Sequence, residues 1–127
     1  MRKVRKTKLS ARAREMKSLT KQLDTLWSRK IRSRDLVCAR CGKSGSTQAA
    51  HIFSRSNKTL RWDMRNGIGL CYYCHIYWAH RNPVEFVEWV RERMGDGAFT
   101  NLKVLSAERK SWLLEDLRAK VEELTNQ

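Results

Sequence analysis

The chain has 127 residues, of which 27 are Lys/Arg and 13 Asp/Glu, giving a net charge of +14, and it carries four cysteines. That length supports one domain with a modest core, and the charge exceeds what solubility requires, so an anionic partner is expected. No run reaches the length of a membrane span, and residues 1–14, MRKVRKTKLSARAR, lack the apolar stretch of a secretory signal, which argues against a membrane protein and against a disulfide-linked secreted one.

In chain order, residues 1–35 are a basic arm, with 13 Lys/Arg against Glu15, Asp24 and Asp35. Met16, Leu19, Leu23 and Leu26 recur there at three- and four-residue steps, and Trp27 and Ile31 extend the stripe. One amphipathic helix is therefore expected from Ser10 to about Arg32. Leu36–Gly42 reads as a short strand entering a Cys-Gly knuckle, with Thr47–Phe53 as the strand that returns beside it.

Residues 54–67 are polar and basic, with Arg55, Lys58, Arg61 and Arg65, and read as a functional loop. A helix is expected from Cys74 to about His80. Asn82 as N-cap and Pro83 at the first helical position restart it, Phe86, Trp89 and Val90 form its apolar face, and Gly95 stops it. After a bend at Gly95-Asp96-Gly97, Ser106 is expected to cap a last helix lined by Leu113, Leu117, Val121 and Leu124. Trp62 and Trp78 read as core anchors.

Residues 36–83 add seven basic side chains against Asp63, whereas residues 84–127 hold seven basic and nine acidic ones. The positive field thus belongs to the arm and the cysteine segment. By the basic-footprint criterion its partner is nucleic acid rather than an anionic membrane or an acidic protein.

The cysteines fall as two Cys-x-x-Cys turns, Cys38/Cys41 and Cys71/Cys74, with 29 residues between them. Each such turn presents two thiolates from one tight knuckle, and two turns complete the tetrahedron that structural Zn2+ prefers. The long spacer leaves room for a strand and a loop, and it contains His51 and Asn66. His75 follows Cys74 directly.

The string Cys38-Ala-Arg-Cys41, Ala50-His51-Ile-Phe-Ser-Arg55, Leu60-Arg61-Trp62-Asp63, Asn66-Gly-Ile-Gly-Leu-Cys71-Tyr-Tyr-Cys74-His75 resembles the HNH endonucleases with a zinc ribbon. It is similar in particular to the small enzymes of phages and prophages, including the phage recombination nucleases. The resemblance covers about residues 36–82 and divides the chain into a basic helix or arm (1–35), a zinc-ribbon core (36–82) and C-terminal helices (83–127).

It implies an α+β fold, a small zinc-clamped ββα-metal core with flanking helices, in the cytoplasm of a bacterial or phage-infected cell. It further implies that His51 is the general base, that Asn66 bonds to backbone and fixes the loop, and that His75 is a ligand of a catalytic Mg2+ or Mn2+. Arg55, Lys58, Arg61 and Arg65 would grip phosphates beside the site.

These residue types suit phosphodiester hydrolysis, which needs a base of near-neutral pKa and a cation to neutralise developing charge. Many enzymes of this kind carry a further metal ligand immediately before the base; here that position is Ala50. Asp63 and Asn82 are the alternative candidates. His80, five residues beyond His75, falls on a different face of an ordinary helix and reads as a surface residue or phosphate contact.

The alternative to an endonuclease is a zinc-ribbon DNA-binding protein without catalysis, and a further one is a module that docks on another protein through the acidic C-terminal helices. Whether one strand or both are cut depends on whether the chain acts as a monomer or a homodimer.

Overall fold

A computed structural model describes residues 10–126; residues 1–9 of the basic arm and Gln127 lie outside it. The first helix, α1, spans Ala11–Arg34, opened by Ser10, whose hydroxyl accepts the Ala13 N–H at 3.1 Å. Then come strand β1 (Gln48–His51), a 3-10 turn (Met64–Asn66), strand β2 (Gly67–Leu70) and a π-helical segment (Tyr73–Ala79). Helices α2 (Pro83–Met94), α3 (Asp96–Ser106) and α4 (Leu114–Thr125) complete the chain. The fold is a small α+β domain, mostly helical, built on one two-stranded antiparallel hairpin.

The hairpin sits between two apolar cores because β2 alternates glycine with large side chains. Its register pairs Gln48 with Leu70 and His51 with Gly67. Ile68 and Leu70 point into a core with Cys38, Cys71, Cys74, Trp78, Phe86, Val90 and Phe99. Gly67 and Gly69 face α1. A Cβ on Gly67 would lie 2.5 Å from both Ile31 Cδ1 and Trp27 Cζ2, and one on Gly69 would overlap the Asp35 side chain. Only glycine lets the helix approach the strand this closely.

The second core lies on the α1 side, where Leu23, Trp27 and Ile31 pack with Trp62, Leu117 and Leu124. Helix α4 is thus docked in cis against α1, and Arg118–Glu15 (2.6 Å) and Arg12–Glu115 (3.6 Å) pair across the rim. Some of the acidic charge of the last helix is answered within the chain.

A two-stranded sheet has an outer edge that must be satisfied or covered. On β2 the Gly69 N–H donates to Asp35 Oδ2 (2.7 Å), Arg34 donates to the Gly67 carbonyl (2.7 Å), and the Ala39 N–H donates to the Gly69 carbonyl (3.0 Å). The end of α1 and the first knuckle therefore close this edge.

Several expectations are corrected. Leu36–Gly42 is not a strand paired with Thr47–Phe53; it contributes one bridge, Val37 to Ser44, and the partner of β1 is Gly67–Leu70. The reason is that this segment bonds to itself, Cys38 N–H to the Lys43 carbonyl and Gly42 N–H to the Cys38 carbonyl, closing a tight knuckle. Ser106 ends α3 rather than capping the last helix, its hydroxyl bonding back to the Lys103 carbonyl. Helix α4 begins at Leu114, where the Leu113 N–H donates to the Asp116 carboxylate at 2.9 Å. Gly95, at φ 86°, turns the chain directly from α2 into α3, so Gly97 lies inside a helix rather than a linker. Trp62 and Trp78 are core residues, 3% and 6% exposed.

Candidate functional site

The two knuckles bring four unbridged thiols together: the sulfurs of Cys38, Cys41, Cys71 and Cys74 all lie within 4.8 Å of one another. Cys41 Sγ and Cys71 Sγ are 3.8 Å apart. A tetrahedron of metal–sulfur bonds of about 2.3 Å has edges of roughly 3.8 Å, so the spacing suits an ion at the centre. Backbone N–H groups of Cys41 and Cys74 point at the sulfurs of Cys38 and Cys71, each at 3.5 Å.

Burial raises the Cys38 thiol, but the backbone N–H groups of Cys41, Cys71 and Arg40 outweigh it and hold it below its usual range, while burial pushes the Cys74 thiol up. Thiols crowded together ionise in turn, each thiolate opposing the next, and a dication at the centre would remove that opposition. Arg40 adds positive charge: it lies 3.5 Å from Cys74 Sγ, with its guanidinium 3.9 Å from the centre of the Trp78 ring.

Asn66, fully buried at the entry to β2, ties the intervening loop shut. Its amide oxygen accepts the Phe53 N–H at 2.7 Å, and its amide nitrogen donates to the carbonyls of Phe53 (3.0 Å) and Leu60 (3.1 Å). The side chain thus replaces a missing strand contact on both sides of the loop, as a buried amide must.

His51, the last residue of β1, lies on the α1 side of the hairpin and stacks on Trp27, ring centres 3.9 Å apart and 11° from parallel. Its Nε2 donates to the Arg61 carbonyl at 3.0 Å. A carbonyl only accepts, so this bond fixes the proton on Nε2 and leaves the lone pair on Nδ1. Burial lowers its pKa below the ordinary 6.5, against the opposing pull of that carbonyl and of Asp24.

His75, in the π-helical segment, is held the other way round. Its Nδ1–H donates to Gln48 Oε1 at 2.8 Å, leaving Nε2 as the free donor atom. Burial, then the neighbouring His80 and His51, push its pKa down to about 4, so the ring is neutral at pH 7.

His51, His75 and His80 all line one cleft of about 570 Å³, together with Arg55, Ala50 and Ala79. The place of His80 corrects the expectation that a five-residue step carries it to another face. The His80 N–H bonds to the His75 carbonyl, a five-residue turn wider than that of an α-helix, so the two rings meet edge to face with centres 4.5 Å apart.

Ala50 and Ala79, by contrast, are 2% and 4% exposed and belong to the core beside the cysteines. Asn82 stands at the cap position of α2, but its side chain donates to the Trp78 carbonyl instead of capping. Asp63 accepts from Arg65 at 3.0 and 2.7 Å and from the Arg65 N–H, and its own carbonyl takes the Trp27 indole N–H. Its carboxylate is therefore engaged within the loop.

The loop cations divide into two kinds. Arg61 makes two bonds to Asp24, at 2.9 and 2.7 Å, and Arg65 makes its pair with Asp63. Arg55 reaches Asp24 only at 3.7 Å, is two-thirds exposed and borders the cleft. Lys58 is exposed, its carbonyl held by the Trp112 indole.

Sequence reasoning missed Gln48, Trp27, Arg40 and the Arg61 carbonyl. No local pattern marks them, because each acts across the fold on a residue far away in the chain. His80 had a signal, its place in the same short segment as His75, but an assumed 3.6-residue period hid it.

What fold and site define together is a small α+β domain in which a four-cysteine cluster stands beside a histidine-lined cleft. No family model, no curated protein and no solved structure matches the chain. No helix among the described residues is long and apolar enough to cross a membrane.

Proposed function

We propose that this protein is a metal-dependent DNA endonuclease of the HNH type, with structural Zn2+ on its four cysteines. The observation that carries the reading is the pairing of His51 and His75 on one cleft, each with one ring nitrogen fixed by a protein acceptor and the other left as a lone pair.

In this reading His51 Nδ1 takes a proton from water at the scissile phosphate, and the Arg61 carbonyl steadies the imidazolium that forms. Asn66 holds the loop that carries that carbonyl, acting as a positioning residue. Arg55 meets substrate phosphate at the mouth of the cleft. His75 Nε2 would hold the catalytic cation, Mg2+ or Mn2+ on the resemblance to such enzymes, and a neutral imidazole with an oriented lone pair fits that task. When bound, such an ion neutralises charge on the phosphate and on the leaving oxygen. The positive surface supplies backbone affinity that weakens with salt.

The test is incubation of the zinc-loaded protein with supercoiled plasmid and a series of divalent cations, beside His51→Ala with unchanged zinc content. Relaxed or linear product from wild type alone is expected. Absence of product with every cation, or equal cutting by the variant, overturns the reading.

The second reading, a DNA-binding zinc-ribbon protein without catalysis, is favoured by Ala50 being a core residue where many such enzymes carry a ligand. It predicts DNA binding that persists in a mild chelator while zinc is retained, with no cleavage under any condition.

A further inference from the structure

We propose that His75 and His80 together hold the cation of the cleft, and that this all-imidazole pair makes the site one for a borderline transition ion such as Ni2+ or Co2+ rather than for Mg2+ or Ca2+. The inference builds on the nuclease reading of the same cleft, and it names a different class of metal from the one expected on resemblance alone.

The backbone carries the first part of the argument. In an ordinary helix a five-residue step rotates about 140° from the starting side chain, which would separate the two rings. Here the segment Tyr73–Ala79 is wound with five-residue bonds, and the bond from His80 N–H to the His75 carbonyl (3.1 Å) brings residue 80 back over residue 75. Such wide turns are uncommon and concentrate where a side chain must be re-aimed. The residue that an ordinary turn would have brought there is Ala79, buried in the core and without a donor atom.

The second part is ring geometry. Two imidazoles bound to one ion through nitrogens at about 2.1 Å have ring centres roughly 4.5–5.5 Å apart. His75 and His80 stand at 4.5 Å, with planes at 73°. Gln48 already fixes the His75 tautomer with Nε2 as the available donor. His80 is exposed at the cleft, so it can turn its ring without disturbing a core.

The third part is chemistry. Among the described residues, none of those lining the cleft is Asp or Glu. Mg2+ and Ca2+ are held by oxygen, and carboxylates supply it in most proteins; imidazole suits Ni, Co, Zn and Cu. A two-nitrogen site leaves the remaining positions to water and to phosphate oxygens of a substrate. It therefore ranks ions in the order Ni2+, Co2+, Mn2+, with Mg2+ last.

The experiment uses the full chain with one equivalent of zinc verified on the cysteines, titrated calorimetrically with Ni2+, Co2+, Mn2+ and Mg2+. Co2+ absorption is followed in parallel, because an ion displaced onto thiolate gives sulfur charge-transfer bands and an ion on imidazoles does not. Wild type is expected to take one further ion without those bands, Ni2+ at least tenfold tighter than Mn2+, with Mg2+ weakest. His80→Ala and His80→Gln are both expected to weaken Ni2+ at least tenfold while zinc content and unfolding midpoint stay unchanged, and His75→Ala is expected to weaken Ni2+ at least as much.

Equal Ni2+ affinity in wild type and both His80 variants, or Mg2+ binding as tight as Ni2+, overturns the proposal. Plasmid cleavage is scored separately. Loss of Ni2+ in the variants without cleavage by wild type supports the metal pair and sinks the nuclease reading; undiminished Ni2+ binding in the variants with intact cleavage does the reverse.

Discussion

Asn66 uses its amide in both directions, accepting one backbone N–H and donating to two carbonyls from a fully buried position. Asn66→Asp keeps the shape but replaces the donating amide nitrogen with an acceptor oxygen that faces two carbonyls, and it buries a charge. The expected loss is at least about 3 kcal/mol in urea unfolding at fixed zinc, since each buried group left unmatched costs about 1–3 kcal/mol.

His51 yields a prediction with a definite sign. Burial lowers its pKa, and a base works only when unprotonated, so cleavage should fall on acidification only below the ordinary imidazole value of about 6.5. A kcat/KM profile against pH with its acid midpoint at or above 6.5 would contradict the role. At this scale the sequence revealed residue types well: cysteines, His51, Asn66 and His75 stood out by chemistry and spacing. It concealed their partners, because Trp27, Gln48 and the Arg61 carbonyl reach them through the fold.

The contact of α1 with β2 decides how the elements assemble. Gly69→Ala places a methyl group against Asp35, whose carboxylate also holds the Gly69 N–H. An overfilled contact of this kind costs about 1–3 kcal/mol, and the strand cannot retreat without losing its edge bonds. A lowered urea midpoint with an unchanged slope is the expected result.

Helices α1 and α2 were legible by apolar period, by Ser10 and Pro83 at their starts and by Gly95 at the end of α2, whereas α3 was not foreseen. Strand β1 was legible too, inside the expected Thr47–Phe53, but its partner β2 was not readable from its residues. Gly-Ile-Gly-Leu has little intrinsic preference for extended backbone, and it becomes a strand because a helix lies on its glycine face and a core on the other. The same holds for the π-helical segment, whose width follows from packing and leaves no mark on composition.

Across the whole molecule, three of the four cysteines are buried and form part of one of the two cores. Stripping the ion from that cluster should therefore melt the core containing Trp78 and Phe86 rather than trim a surface. Tryptophan emission and far-UV circular dichroism, followed through chelator titration, are expected to change together, and zinc is expected to restore both.

The charge makes a second global prediction. Affinity for duplex DNA should fall linearly as log K against log salt, and Arg55→Ala should shallow the slope by about one unit. Arg61→Ala, which breaks the bidentate pair with Asp24, should lower stability instead. The net charge was plain from composition. Which cations remain available was not, because pairing with Asp24 and Asp63 depends on chain segments far apart or on a loop conformation.

The wide turn at Tyr73–Ala79 also bears on how this chain tolerates change in length. A helix wound in five-residue steps is an ordinary helix with an extra residue threaded into it. Deleting one residue between His75 and His80 would let the segment relax to the common winding and still bring the two histidines together. Because the shortened turn returns His80 to its place over His75, the side chains that follow it, Phe86 and Val90 among them, would keep their direction into the core they now fill. The wide turn is therefore a point at which the chain can lose one residue without rebuilding the docking of α2.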